Sequence, residues 1–131
     1  FEPFLRASAH TLAARRGARV DLGLAFPPAE AGLPYLLLGS LAGKGPTDLL
    51  GLPVPLTTDA LFKKTLRRRF PRFWSGAQGT LDAQATGQAS LQGAPGLSRV
   101  IGTTLFLAAI TLDSTGSPRL TSAATTVTTA P

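Results

Sequence analysis

A short run of mostly apolar side chains at residues 34–41 (Pro-Tyr-Leu-Leu-Leu-Gly-Ser-Leu) constrains the fold more than any other stretch. Turn-forming residues bound it, with Pro34 at its start and Gly43 and Gly45 after its end. Eight residues are too few to cross a membrane, and an apolar run between such breakers is typical of a strand buried on both faces. Because a strand covered on both sides needs a layer on each side, the run predicts a sandwich.

Two further stretches have the patterns of sandwich strands. In residues 20–26 apolar side chains alternate with small or polar ones, which predicts a strand with one buried face. Pro27 and Pro28 end that strand, because proline cannot donate a hydrogen bond to a neighbouring strand. In residues 103–112 both alternating sets are largely apolar, so this stretch predicts a second strand buried on both faces.

Shorter signals fill the rest of the chain. Residues 4–14 predict a first strand or strand pair, and the Gly- and Pro-rich residues 43–55 predict a loop packed onto the sandwich. Residues 80–83 and 86–91 flank a short turn and predict a hairpin with small residues facing inward. After a strong turn signal, the threonine-rich residues 119–129 predict a closing strand, since β-branched side chains suit a pleated sheet.

Length and composition set the architecture. A chain of 131 residues fits one domain, and its 14 Gly and 11 Pro favour many short strands over long helices. We therefore predict a single all-β domain over residues 1–131. It is expected to be an antiparallel β-sandwich of about seven to nine strands, immunoglobulin-like or jelly-roll-like. Residues 1–14 are expected to form an edge strand or a strand exchanged between copies of the chain.

The residue types that carry most enzyme chemistry are missing or scattered. The chain has no Cys, which excludes disulfides, thiolate metal sites and cysteine nucleophiles. His10 is the single histidine, and the seven acidic residues never pair at the spacing of metal ligands. The glycines around Ser40 have the wrong spacing for a phosphate-binding loop, and Ser40 has no partner base. We predict no enzymatic activity, no metal site and no cofactor.

The start of the chain and its apolar runs bear on location. The sequence begins at Phe1 and contains no Met, as expected of a processed chain such as one that has lost a secretory signal peptide. Neither of the two long apolar runs reaches the length of a membrane span. We therefore expect a secreted, extracellular or cell-surface protein with no membrane span.

The net charge of +6 comes from one stretch, the basic segment. It holds six of the thirteen basic residues within ten positions, and the other seven balance the seven acids. Its members are Lys63, Lys64, Arg67, Arg68, Arg69 and Arg72. Residues 59–73 fit either a helix capped by Asp59 or a strand with long basic side chains. We favour the strand, because the neighbouring stretches are strand-like.

The basic segment is interleaved with Phe70, Phe73 and Trp74, and together these residues are the candidate binding or interface site. Cations hold phosphate or carboxylate and aromatic rings stack on bases or sugars, so one interpretation is a site for nucleic acid, acidic polysaccharide or lipid headgroups. A second is a subunit contact, since arginine and aromatic residues are enriched in interfaces. A third is a solvated edge strand whose charges prevent sheets from aggregating.

Several stretches resemble a domain found repeatedly at the C-termini of secreted planctomycete-type bacterial proteins. The matching motifs are Pro-Tyr-Leu-Leu-Leu-Gly-Ser at residues 34–40, Leu-Thr-Thr-Asp at 56–59 and Gly-Thr-Leu-Asp-Ala-Gln at 79–84, followed by residues 102–113. The resemblance covers most of the chain from about Ala18 onward. It implies an extracellular β-sandwich module with no assigned catalysis, often appended to a larger secreted protein. The chain departs from that pattern between Phe62 and Trp74, where the family has a neutral strand and an Asn- and Pro-rich loop.

Two functions remain after these exclusions. The first is a non-enzymatic extracellular structural or assembly module, a subunit of a filament, surface layer or appendage that self-associates through edge strands. Its partners would be copies of the chain or a larger secreted assembly. The alternative is an accessory module that binds a polyanion or glycan, such as acidic polysaccharide or nucleic acid, through residues 62–74.

Overall fold

The computed structural model describes residues 2–131, which form twelve strands, one short helix and two 3-10 turns. The strands are β1 Leu5–Ala7, β2 Thr11–Ala13, β3 Arg19–Ala25, β4 Pro34–Ser40, β5 Thr47–Leu49, β6 Leu52–Val54, β7 Trp74–Ser75, β8 Gln78–Thr80, β9 Thr86–Gln92, β10 Thr104–Leu112, β11 Pro118–Thr121 and β12 Thr125–Ala130. The helix α1 spans Ala60–Leu66, and the 3-10 turns span Pro28–Glu30 and Pro95–Val100. The predicted all-β class is confirmed. The strands outnumber the predicted seven to nine because six of them have only two or three residues, too few to show an alternating pattern in the sequence.

Two sheets form the sandwich. Sheet 1 has the order β1-β3-β9-β7, and sheet 2 has the order β2-β12-β10-β4-β8, with β11 also paired to β10. Leu22 and Leu91 from sheet 1 share one buried cluster with Leu37 and Leu107 from sheet 2. The two sheets therefore pack face to face around this cluster as the two layers of a β-sandwich.

The first strands occupy one edge of each sheet. β1 pairs antiparallel with β3, whereas β2 pairs parallel with β12, with Thr11 opposite Thr128 and Ala13 opposite Ala130. The predicted antiparallel pairing is therefore wrong at this one edge. The reason is that the chain crosses from sheet 1 to sheet 2 without reversing, so its second strand runs alongside the last strand.

β4 and β10 are buried on both faces, as the apolar runs predict. They pair antiparallel, from Ser40 opposite Phe106 to Tyr35 opposite Thr111. Because side chains alternate along a strand, Leu37 points into the cluster between the sheets and Leu36 points away from it. The outward-pointing set forms a second buried cluster on the other face of sheet 2.

A third layer covers this outer face. It is formed by residues 41–73, which lie between β4 and β7 in sequence. The β5–β6 hairpin contributes Val54 and α1 contributes Phe62 to the second cluster. The predicted loop at residues 43–55 does pack onto the sandwich, and it contains this hairpin. The predicted strand at residues 59–73 is wrong, since the segment begins with helix α1. Among the described residues, no helix is long and apolar enough to cross a membrane.

The predicted hairpin over residues 80–91 is also wrong. β8 pairs with β4 in sheet 2, whereas β9 pairs with β3 and β7 in sheet 1, so the turn at Asp82 carries the chain between sheets. The small residues on either side make room for the Tyr35 ring. An added Cβ would lie 3.0 Å from that ring at Gly79 and 3.1 Å from it at Gly87. The closing stretch likewise forms two strands, β11 and β12, each paired with β10.

Candidate anion-binding surface

Helix α1 is fixed at its start by one carboxylate. Asp59 is its N-cap, and Oδ1 accepts a hydrogen bond from the backbone N–H of Phe62 at 2.8 Å. Oδ2 accepts from the N–H of Leu41 at 2.8 Å, just beyond the end of β4. The carboxylate therefore satisfies one orphan donor of the helix and ties the helix to sheet 2.

The buried face of α1 sets which residues reach solvent. Phe62 and Thr65 are buried, and Thr65 Oγ1 accepts a hydrogen bond from the N–H of Gly39 in β4 at 3.2 Å. With these two residues facing sheet 2, Lys63, Lys64 and Arg67 are exposed on the solvent side of the helix. This arrangement puts one charged and one apolar face on an element of seven residues.

The helix ends in a Schellman motif that exposes two more arginines. Arg69 N–H donates to the carbonyl of Lys64 at 2.9 Å, and Arg68 N–H donates to the carbonyl of Thr65 at 3.0 Å. Arg68 takes the left-handed conformation of this motif, with φ of 62°. Glycine is the usual residue at that position because a side chain strains the left-handed backbone.

All six cations of the basic segment are exposed. Among residues 2–131 the salt bridges are Arg19–Asp21 and Arg119–Glu30, so none involves the basic segment. Asp59, the acid next to this segment in sequence, already accepts hydrogen bonds from two backbone donors. The outer layer therefore presents a concentration of uncompensated positive charge, which raises the local concentration of anions.

The aromatic residues of the candidate site turn inward. Trp74 is only 7% exposed, and its ring stacks on Phe70 with centroids 6.0 Å apart and meets Phe73 edge-on at 6.5 Å. Gly39 makes room for the indole, since an added Cβ would lie 2.6 Å from its ring. Within the described part of the chain, the indole N–H is the single buried side-chain polar group without a hydrogen-bond partner. The fully exposed side chains of the site are thus the six cations, while Phe70 and Phe73 are half-buried.

Other polar groups that sequence singles out serve the fold. Ser40 Oγ donates to the carbonyl of Thr57 at 2.7 Å and accepts from the N–H of Ala42. His10 Nδ1 lies 2.8 Å from the carbonyl oxygen of Thr126. Glu30 is buried, and residues 2–131 contain no group of three His, Cys, Asp or Glu placed to hold a metal ion.

Sequence reasoning misses an apolar cleft beside the basic segment. It opens where β4 ends and β10 begins, and its mouth includes Leu41 and Phe73. The lining comes from both sheets and from the third layer, so no local pattern marks it. Leu41, which is 52% exposed, is the one signal, as the last apolar residue of a buried run that is left in solvent.

No protein-family model matches the chain, and no curated protein matches it significantly. The resemblance to the planctomycete-type domain therefore stays a prediction.

Proposed function

We propose that the protein is a non-enzymatic, extracellular polyanion-binding module whose ligand lies across the solvent face of α1 and the turn that follows it. One observation carries the proposal: six exposed cations lie within ten residues, on α1 and the turn that follows it, and none is paired with a carboxylate of the described chain. The chemistry that recognises such a surface is a repeating anion, such as an acidic polysaccharide or the phosphate backbone of nucleic acid.

The backbone at Arg68 supports this assignment. A non-glycine residue held at positive φ costs about 1–3 kcal/mol, and such strain is concentrated at functional positions. Arg68 stands with φ of 62° at a position where glycine would relieve that strain. Leu50 and Ala85 also have positive φ, and what distinguishes Arg68 is its exposed guanidinium, which adds to the cationic surface.

The third layer also separates the charge from the sandwich. Phe62 and Thr65 anchor the helix, and the cations lie on its other side. The surface can therefore bind through electrostatics without a change in the core. This form of binding is steeply dependent on salt, because each neutralised phosphate releases a counterion.

Retention on immobilised heparin, measured against salt concentration, tests the proposal. The variant Arg67→Glu, Arg68→Glu, Arg69→Glu should lose retention at physiological salt. A matched control is Arg6→Glu, Lys44→Glu, Arg99→Glu, which changes three exposed cations elsewhere. Both variants have a formal net charge of zero, six below the +6 of the parent chain, so global charge is held equal. Equal retention of the two variants would refute the proposal.

Self-association is a second candidate, carried by the first strands. β1 and β2 lie at one edge of each sheet and bury Leu5 and Leu12, and exposed residues follow at Arg15 and Arg16. The same contacts could be made by residues 1–14 of a second copy. Strand addition at a sheet edge would form few backbone hydrogen bonds, because the edge strands β1, β2, β7 and β8 have two or three residues each. Size-exclusion chromatography with light scattering at high protein concentration distinguishes an exchanged dimer from a monomer.

A further inference from the structure

The apolar cleft lies at the end of the sandwich where sheet 1 and sheet 2 part. Its volume is about 180 Å³. Its walls are buried side chains of both sheets, including Leu12, Leu91, Leu105 and Val127, and its mouth includes the exposed Leu41 and the half-buried Phe73. The only polar side chains in the lining are two threonines.

The volume limits what the cleft can take. An apolar cavity of about 150 Å³ stays dry and holds one benzene ring, so this cleft fits a ring or a chain of about six carbons. Moving such a group from water into an apolar site is favourable by about 0.8 kcal/mol per buried methylene. A membrane lipid chain is longer than the space available.

Two further cavities share lining residues with the cleft or with each other, and the three together are called the cationic groove. Phe73 also lines an adjoining cavity of about 280 Å³ together with Arg72 and Gln92. Gln92 in turn lines a third cavity, which Arg16 and Arg19 border. No acidic side chain lines any of the three cavities. Arg19 is paired with Asp21, whereas Arg72 and Arg16 make no ion pair within residues 2–131.

We propose that this groove binds a small amphiphilic anion, with an apolar tail of about six carbons in the cleft and a carboxylate, phosphate or sulfate headgroup at Arg72. Arg72 lies in sequence between Pro71 and Phe73, which both line the cleft, and it lines the neighbouring cavity together with Phe73. An apolar cleft beside a cation that makes no ion pair within residues 2–131 favours a ligand that has both an apolar tail and an anionic headgroup. The site shares Arg72 with the basic segment, but its apolar part is the cleft, which polyanion binding by α1 does not use.

The fluorescence of Trp74 can be used to measure ligand binding. It is the only tryptophan, and its ring contacts Phe73, whose side chain forms part of both cavities. We expect titration with hexyl phosphate to change the tryptophan fluorescence. The apparent Kd should be at least tenfold lower than for hexanol or for inorganic phosphate, which supply the tail and the headgroup alone. If hexyl phosphate binds no more tightly than either of these, the proposal is refuted.

Three surface variants separate the contribution of the headgroup from that of the apolar tail. Arg72→Glu should weaken hexyl phosphate binding at least tenfold and leave hexanol binding unchanged. Leu41→Glu should weaken the binding of both hexyl phosphate and hexanol. Arg6→Glu is the matched control, because Arg6 is exposed and lies at the opposite end of sheet 1. Unchanged hexyl phosphate affinity in a folded Arg72→Glu protein would overturn the headgroup assignment.

A cross-test keeps the two proposals distinguishable. The Arg67→Glu, Arg68→Glu, Arg69→Glu variant should lose heparin retention and keep its affinity for hexyl phosphate. Loss of both activities in that variant, with an unchanged tryptophan spectrum, would show that the groove has no site of its own.

Discussion

Glu30 and Arg119 form a salt bridge across 89 residues of sequence, with Nε of Arg119 2.9 Å from both carboxylate oxygens. The Glu30 side chain is 3% exposed, and Oε1 also accepts a hydrogen bond from Thr111 Oγ1 at 2.8 Å. The carboxylate therefore joins the 3-10 turn before β4 to β10 and β11. A buried charge of this kind is tolerated because it is paired and hydrogen-bonded.

Removing either partner should destabilise the fold. Hydrogen bonds to charged groups are worth about 1.5–3 kcal/mol, so Arg119→Met should lower the free energy of unfolding by about 2 kcal/mol. Thr111→Val should cost about 1–2 kcal/mol. Urea denaturation followed by Trp74 fluorescence measures the free energy of unfolding of both variants. Arg99→Met is the control for loss of an exposed arginine. A stability equal to that of the control would contradict the structural role of this ion pair.

Asp59 should contribute more to the free energy of unfolding than a residue that only caps a helix. Loss of an N-cap side chain costs about 0.5–2 kcal/mol, and Asp59→Ala also removes the acceptor for the Leu41 N–H. We expect the free energy of unfolding to fall by about 2 kcal/mol. Asp59→Asn keeps one acceptor oxygen and should lose less. An Asp59→Ala protein as stable as the parent chain would show that α1 does not depend on this tie to β4.

Arg68→Gly should separate stability from binding. Relief of the left-handed strain at φ of 62° is partly offset by the greater freedom of glycine in the unfolded chain, so we expect a gain of up to about 1 kcal/mol. The same change should weaken heparin retention. Arg69→Gly removes an equal charge from a residue without positive φ and should reduce both stability and retention. Destabilisation by Arg68→Gly would contradict the strain argument.

Tyr35 should make the fold sensitive to alkali. Burial raises the pKa of Tyr35 above its ordinary value of 10.0, because the phenolate is poorly solvated beside sheet 1. The folded state then holds the proton more tightly than the unfolded chain, so the contribution of Tyr35 to stability is fully present below pH 10 and is lost as the pH rises above it. Tyr35 is the only tyrosine, so its tyrosinate absorbance can be compared directly in buffer and in denaturant.

The control for this titration is Tyr35→Phe. Its ring can still pack against Gly79 and Gly87, but it loses the hydroxyl, which lies 3.0 Å from the carbonyl oxygen of Gly76 and 3.1 Å from that of Gln88. We expect a loss of about 1 kcal/mol at neutral pH and a flatter stability profile above pH 10. A tyrosinate titration identical in buffer and in denaturant would show that burial does not shift this pKa.

The two-sided strands can be predicted from sequence because their signal is local. The run Tyr35–Leu38 is apolar on both faces and is bounded by turn residues, so its burial needs no knowledge of its partners. Helix α1 cannot be predicted in the same way, since seven residues fit a period of two and a period of 3.6 almost equally well. The capping carboxylate of Asp59 favours the helix locally, and its second bond, to the N–H of Leu41 18 positions away, ties the helix to sheet 2 and has no local signal in the sequence.

The inward position of Trp74 has a similarly distant cause. In sequence it stands beside six cations, yet the missing side chain of Gly39 in β4 leaves the space that its ring fills. The apolar cleft draws its lining from several elements, so no motif marks it. By contrast, the basic segment can be identified from the sequence alone, and all six of its cations are exposed to solvent.

The parallel pairing of β2 with β12 has a mechanical consequence. The N-terminal side of β2 and the C-terminal side of β12 lie at opposite ends of the pair, which joins Thr11 to Thr128, Leu12 to Thr129 and Ala13 to Ala130. Tension applied to the two ends of the chain would pull these strands past each other along their length. Their hydrogen bonds would therefore bear the load together in shear, whereas a strand peeled from its end would lose its bonds one at a time.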